Sequence, residues 1–285
     1  RTVDGGKNWD VRKVPGAEKL DFRDIEAFGE NVAYILSIGN GDSSRIYKTI
    51  DGGRTWKLQF KNPIEKAFFD SIAFWDQNHG IAQSDPVDGK YVFYVTNDGK
   101  TWTRMSTEKM PGAKDGEAAF AASGTCIVTY GKKRIWLITG GKDARVFYSK
   151  NRGRSWKVYD TPIVKGAPGS GIFSIAMRTK KRGVIVGGDY QKPDRSTNNL
   201  ALTRNGGKTW RPASGLNGYR SGVAYIDKNT IIAVGSGGSD ISFDGGKSWK
   251  AIDKKNYNAV QAQGRNAVWA VGPSGMVAKF TRVKE

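Results

Sequence analysis

The chain has 285 residues, 38% of them hydrophobic, and a formal net charge of +19 from 46 basic and 27 acidic side chains. No run of about 18 apolar residues occurs, which excludes a helical membrane span. One cysteine and one histidine exclude an internal disulfide, a cysteine-rich metal site and a multi-histidine zinc centre. Cys126 lies in the apolar run Cys126-Ile127-Val128 and reads as a buried inert thiol. His79, in the turn Asp76 to Gly80, reads as a surface residue. The sequence opens inside a repeat rather than on a secretory leader.

That repeat is an eight-residue phrase, first met as TVDGGKNW from Thr2 to Trp9 and returning five times. Successive tryptophans, Trp9, Trp56, Trp102, Trp156, Trp210 and Trp249, are 47, 46, 54, 54 and 39 residues apart. A period of this size marks an array of small sheets. Taken in chain order, each unit offers an inner strand, at Phe22 to Phe28, Phe69 to Phe74, Glu117 to Ala122, Ile172 to Met177, Arg220 to Tyr225 and Asn258 to Ala262. Second strands follow at Val32 to Ser37, Gly80 to Ser84, Arg134 to Thr139, Gly183 to Gly187, Thr230 to Gly235 and Ala267 to Gly272. The second unit shows the rest of the pattern. Tyr91 to Val95 is β-branched and aromatic and makes a third strand, the phrase makes a turn, and Trp102 to Arg104 starts a fourth.

The expected fold is all-β: one six-bladed β-propeller over residues 1–285, with four-stranded antiparallel blades. The last unit supplies three strands, ending in Gly275 to Phe280, and Lys7 to Val14 is expected to close it as the fourth strand. A longer parent protein with about 30 further residues before Arg1 would be seven-bladed.

The phrase has a mechanical reading. Its third position, read as Asp4, Asp51, Asn97, Asn151, Asn205 and Asp244, accepts hydrogen bonds from following backbone N–H groups. Glycine two residues later supplies positive φ, and the tryptophan folds over the turn into the gap between sheets. A calcium loop would need more carboxylates than each copy offers, so no metal and no cofactor is expected. The next position is basic in every copy, from Lys7 to Lys247, and builds part of the charge excess into the repeat. Such a field attracts anions. No block of five or six cations marks a nucleic-acid face.

The phrase resembles the Asp-box, or BNR repeat, of sialidases, sortilin-like propellers and the photosystem II assembly/stability factors. Phrases at Asp21 to Asp24, Ser84 to Gly89, Gly116 to Phe120 and Gly187 to Tyr190 look most like the bacterial relatives of the assembly factors. That resemblance implies an exported protein, periplasmic or extracellular, with its boxes structural and away from the working face. Sialidases carry an Arg-Ile-Pro phrase, whose nearest counterpart here is Arg45-Ile46-Tyr47. Xyloglucanase-like relatives use two propellers, and this chain is long enough for one.

With the boxes at the bottom, the top carries the loops from strand two to strand three and from blade to blade. Aligning inner strands on Ile25, Ile72, Ala119, Ile175, Val223 and Val260 puts Arg23, Asp70, Glu117, Phe173, Ser221 and Asn258 around the upper channel mouth, with Arg220 beside them. Asp85, Asp189 and Tyr190 are expected to lean over it from loops. The expected function is non-catalytic binding or assembly by a monomer, holding an acidic protein segment or an anionic glycan on the top face. Binding candidates are Arg23, Asp70, Asp85, Glu117, Asp189, Tyr190 and Arg220. The alternative is a glycoside hydrolase or lyase of sialidase-like fold, using Asp70 and Glu117 as its carboxylate pair.

Overall fold

The computed structural model describes residues 1–281. Six antiparallel sheets follow one another along the chain, each in sequence order. Blade 1 is Asp21–Phe28, Val32–Ile38, Arg45–Thr49 and Lys57–Lys61. Blade 2 is Phe69–Asp76, His79–Val87, Lys90–Thr96 and Thr103–Arg104. Blade 3 is Ile127–Tyr130, Arg134–Ile138, Arg145–Ser149 and Lys157–Asp160. Blade 4 is Ser170–Met177, Gly183–Asp189, Leu200–Thr203 and Arg211–Ala213. Blade 5 is Gly222–Tyr225, Ile231–Gly235, Gly238–Ser242 and Lys250–Asp253, and blade 6 is Ala259–Gln263, Ala267–Val271 and Val277–Lys279. The inner strands of consecutive blades touch from the first to the last. The fold is the six-bladed propeller that the repeat implied.

Two segments differ from the expected elements. Glu117–Ala118 is only a two-residue strand paired with Gly140–Gly141, and the inner strand of blade 3 is Ile127–Tyr130. Between them, residues 119–126 swing into the axis. There the Gly124 carbonyl accepts from Ser71 Oγ at 2.7 Å, and Thr125 Oγ1 meets Ser174 Oγ at 2.6 Å. The register explains why. Ile127 and Thr129 pair with Leu137 and Ile135, so the apolar alternation that fills the space between blades 2 and 3 starts only there.

Closure also differs in kind. The N-terminal box lies against blade 6 as expected, with Trp9 edge-on to Trp269 at 5.7 Å and Lys279 Nζ 3.5 Å from the Gly5 carbonyl. Gly6, at φ +91°, lets the Trp269 ring sit 2.5 Å from where a Cβ would project. Lys7 to Val14 nevertheless forms no strand, and blade 6 has three strands among the described residues. The backbone N–H and C=O of Asp10 are paired with Arg1, at 2.7 and 2.8 Å, in the same rung that joins Lys48 to Lys57 in blade 1. They are therefore not offered to Val277–Lys279.

The core is a set of apolar layers between neighbouring blades. Tyr34, Leu36, Phe69 and Ile72 fill the first gap, and Phe93, Ile135, Leu137 and Phe147 the second. The thinnest layer lies between the N-terminal segment and blade 1, holding Val14, Ala17, Ile35 and Tyr47 as its buried members. On either side of the seam between blades 6 and 1, Ile25 is 60% exposed and Val271 45%.

Candidate functional site at the channel mouth

Three inner strands carry a bulge near their upper ends, and the extra residues are Arg23, Asp70 and Phe173. A bulge re-aims its side chain out of the ladder. The residue that follows each of two bulges reaches the next blade. Asp24 Oδ2 accepts the Ile72 N–H at 2.7 Å, and Ser174 Oγ accepts the Val223 N–H at 3.0 Å. In blade 3 Thr125 fills this role through its carbonyl, which accepts the Ile175 N–H. Cys126, not Ala119, is therefore the counterpart of Ile25 and Ile72, and Glu117 falls outside the ring in which the sequence alignment put it.

The polar residues resolve into separate groups. Glu117 is buried and faces Arg145. Arg145 Nε donates to Oε1 at 2.9 Å, its Nη2 bonds Oε2, and Thr139 Oγ1 donates to Oε1 at 2.6 Å. Arg220 is buried against Asp240, with Nε 2.7 Å from Oδ2, while Asn217 Nδ2 donates to Oδ1 at 2.8 Å. Arg23 stays exposed, and its Nε donates to Asp21 at 2.9 Å. Asp189 Oδ1 accepts from the Gln191 N–H at 3.0 Å, so it closes the loop start rather than leaning over the channel. Tyr190 is half exposed, edge-on to Phe173, which stacks flat on Phe120 at 3.9 Å.

The carboxylates nearest the axis have no cationic partner among the described residues. Asp70 is buried and accepts from Gln83 Nε2 at 3.1 Å; burial and the neighbouring Asp85 push its carboxyl well above the usual range. Asp85 accepts the Ala119 N–H, and burial raises it to about 6. Burial pushes Asp24 to about 7. Burial and the Asp24 charge push Glu26 to about 8. Sequence reasoning missed Arg145, Asp240 and Glu26. An arginine opening the third strand of blades 1 and 3, at Arg45 and Arg145, is the signal that was available. The Cys126 thiol is buried, as expected, and burial pushes its pKa up.

At the opposite end five of the six phrases form the same hydrogen-bonded turn. Thr49 Oγ1 donates to Asp51 Oδ1 and accepts from the Gly53 N–H, both at 2.8 Å. Asp51 in turn accepts from the Thr55 N–H and hydroxyl. The indole of Trp56 lies against Gly53, as Trp156 does against Gly153 and Trp210 against Gly207. Trp156 and Trp210 are buried and Trp9 is half exposed. In blade 2 the acid is Asp98 rather than Asn97. Thr96 donates to Asp98, which takes both the Thr101 N–H and hydroxyl. This copy has a turn one residue shorter, with one glycine. The Gly99 N–H therefore reaches back three residues to Thr96 instead of four. The BNR/Asp-box repeat family matches residues 240–251, which contain the whole blade 5 copy from Ser242 to Trp249.

The chain is a six-bladed β-propeller that carries an Asp-box repeat at residues 240–251. It is similar to the photosystem II assembly lipoprotein Ycf48 of Picosynechococcus sp., 25% identical over 243 residues, which are 81% of this chain and 60% of that protein. The chain thus spans less than two thirds of that relative's length. Among solved structures it resembles one described as YCF48 bound to D1 peptide, at TM-score 0.52 and 16% identity over 95% of each chain. It also resembles a GH74 enzyme of Niastella koreensis, at TM-score 0.54 and 11% identity over 90% of this chain and 52% of that one. These two structures speak for the fold.

A groove of about 620 Å³ opens beside the long top loop of blade 4. Ser196, Thr197, Asn198, Pro212, Leu216 and Asn217 line it. Lys192 and Arg195 stand on the same loop, in no ion pair among the described residues.

Proposed function

We propose that this propeller is a non-catalytic, assembly-type module of an exported protein that holds an extended, acidic protein segment at its top face. The observation that carries the proposal is the similarity to photosystem II assembly factors over most of the chain, joined to a structural likeness to a propeller solved with a peptide. The blade 4 groove suits an extended segment. Pro212 and Ala213 of the outermost strand line it, and the outer edge of that strand has no partner strand; backbone pairing at such an edge, less the donor that Pro212 lacks, is a common way to hold a peptide. Lys192 and Arg195 favour acidic side chains there, and Tyr190 offers a stacking face on the same loop.

The hydrolase alternative asks for a free carboxylate and a protonated one facing a single cavity. Glu117 is occupied by Arg145 and Thr139, and Asp70 is buried against Gln83, which argues against it. The deciding experiment is fluorescence anisotropy with an acidic peptide, its Gln-for-Glu counterpart and a heparin-derived oligosaccharide. The acidic peptide is expected to bind most tightly, and Lys192→Gln/Arg195→Gln to weaken it about tenfold. Equal affinity for the acidic and Gln peptides, or no effect of the double variant, would overturn the proposal. Preference for the oligosaccharide would move the assignment to an anionic glycan.

A further inference from the structure

Among the described residues, a cluster of seven cations lies at the end that carries the Asp-boxes. At the top, outside the blade 4 loop that carries Lys192 and Arg195, many cations are matched by acids. Lys61 meets Asp42, Lys66 meets Asp88, Lys142 meets Asp115, and Lys114 and Lys165 share Asp143. At the other end the boxes sit beside the hairpins that join strands one and two. The Gly206 N–H donates to the Lys181 carbonyl and the Gly245 N–H to that of Asn229. Between blades 4 and 5 these turns enclose a cleft of about 480 Å³ lined by Arg178, Arg182, Arg204, Lys228 and Lys247. Lys180 and Lys181 extend it.

None of these seven cations is in an ion pair among the described residues. The nearby acids are already committed. Asp244 accepts from Ser248 and from the Lys247 N–H within its box, and Asp227 holds Arg265.

A second, independent feature lies on the same end. The second residue of each box stands at the tip of the turn, and the box hydrogen bonds do not use its side chain. On blades 3 and 4 it is Lys150 and Arg204, the polar choice for a solvated tip. At three consecutive stations of the wheel it is instead bulky and apolar. Phe243 is 58% exposed, Val3 84% and Ile50 70%. The boxes are structurally equivalent, so these tips project from one end of the disc. Phe243 also lines the cationic cleft.

We propose that the Asp-box end docks on an anionic phospholipid bilayer. The cleft between blades 4 and 5 receives lipid phosphates, and Phe243, Val3 and Ile50 enter the interfacial zone. Cations near an anionic leaflet and apolar side chains on one face are the two contributions that hold a peripheral protein at a membrane. Phe243 is the one aromatic tip; Val3 and Ile50 are aliphatic and add nothing for a nucleic acid, which would call for several stacking surfaces interleaved with the cations.

Vesicle flotation tests this, with phosphatidylcholine alone and with phosphatidylglycerol added. The propeller is expected to float only with the anionic vesicles, and less at high salt. Arg178→Gln/Arg182→Gln is expected to lower the partition coefficient about tenfold, and Phe243→Ser about threefold. Lys66→Gln/Lys90→Gln, the same charge loss at the top, is expected to leave it unchanged, with circular dichroism confirming that every variant is folded. Four results would overturn the proposal. The first is equal flotation with both vesicle types, or with neither. The second is flotation insensitive to Arg178→Gln/Arg182→Gln. The third is tighter binding of a DNA duplex than of anionic vesicles, unaffected by Phe243→Ser. The fourth is calorimetric binding of inorganic phosphate without vesicle binding, which would make the cleft a free-anion site.

Discussion

Asn97 and Asp98 are neighbours of similar size, yet only Asp98 is built into a box, where it accepts four hydrogen bonds, from the Thr101 N–H, the Lys100 N–H and the Thr101 and Thr96 hydroxyls. These hold its carboxyl well below the usual range. Asp98→Ala is expected to lower the melting temperature by about 3 °C, and Asn97→Ala to leave it within about 1 °C; calorimetry of the two variants checks this. The sequence pattern misplaced the acid because eight-residue spacing back from Trp102 was held constant, whereas this turn is a residue shorter. The same limit applies at the channel mouth. Apolar residues can be aligned by eye, but a bulge shifts the phase by one, and the partners of Glu117 and Arg220 come from strand three, far along the chain. Arg145 and Asp240 became visible as partners only once strand pairing brought them opposite.

At the scale of the element, blades were legible wherever an apolar strand ran straight into a tight hairpin. The inner strands of blades 1, 2, 4, 5 and 6 fall close to where β-branched and aromatic residues put them. Blade 3 was misread because Ala119 to Ser123 is small and apolar enough to pass for an inner strand, while its backbone turns into the axis. The N-terminal stretch was placed beside the correct blade, but its strand character was overstated. Its alternation around Trp9 and Val11 is real, yet Val11 is 81% exposed and finds no layer to join. Blade 6 is therefore held on its outer side by Trp9 against Trp269 rather than by a ladder. Amide hydrogen exchange is expected to be fastest over residues 259–279, and Trp269→Ala to speed it there while leaving blades 2 to 4 unchanged. Uniform protection across all six blades would contradict this account of the seam.

For the whole molecule, the two ends of the wheel respond to pH in opposite senses. Along the axis, Asp24 and Glu26 titrate at about 7 and 8 when folded, against 3.8 and 4.5 as ordinary side chains. The folded state then holds protons that the unfolded chain releases. Their contribution is complete below the unfolded values and is lost as pH rises through 7 and 8. The box acids run the other way. Asp4 is held at about 2 by its hydrogen bonds to Asn8, and Asp51 and Asp244 are lower still, so their contribution is lost as pH falls below about 4. The urea midpoint is expected to be higher at pH 5 than at pH 8.5, and Asp24→Asn/Glu26→Gln to narrow the difference.

The apolar layers carry one more implication. Five of them are each shared by two neighbouring sheets and by no others, so a change in the side chains of one blade is felt by the blades beside it and stops there. A wheel assembled this way can revise its spokes one at a time. Loops and tips on one side of the hub are free to take up a new errand while those across from it keep the old one.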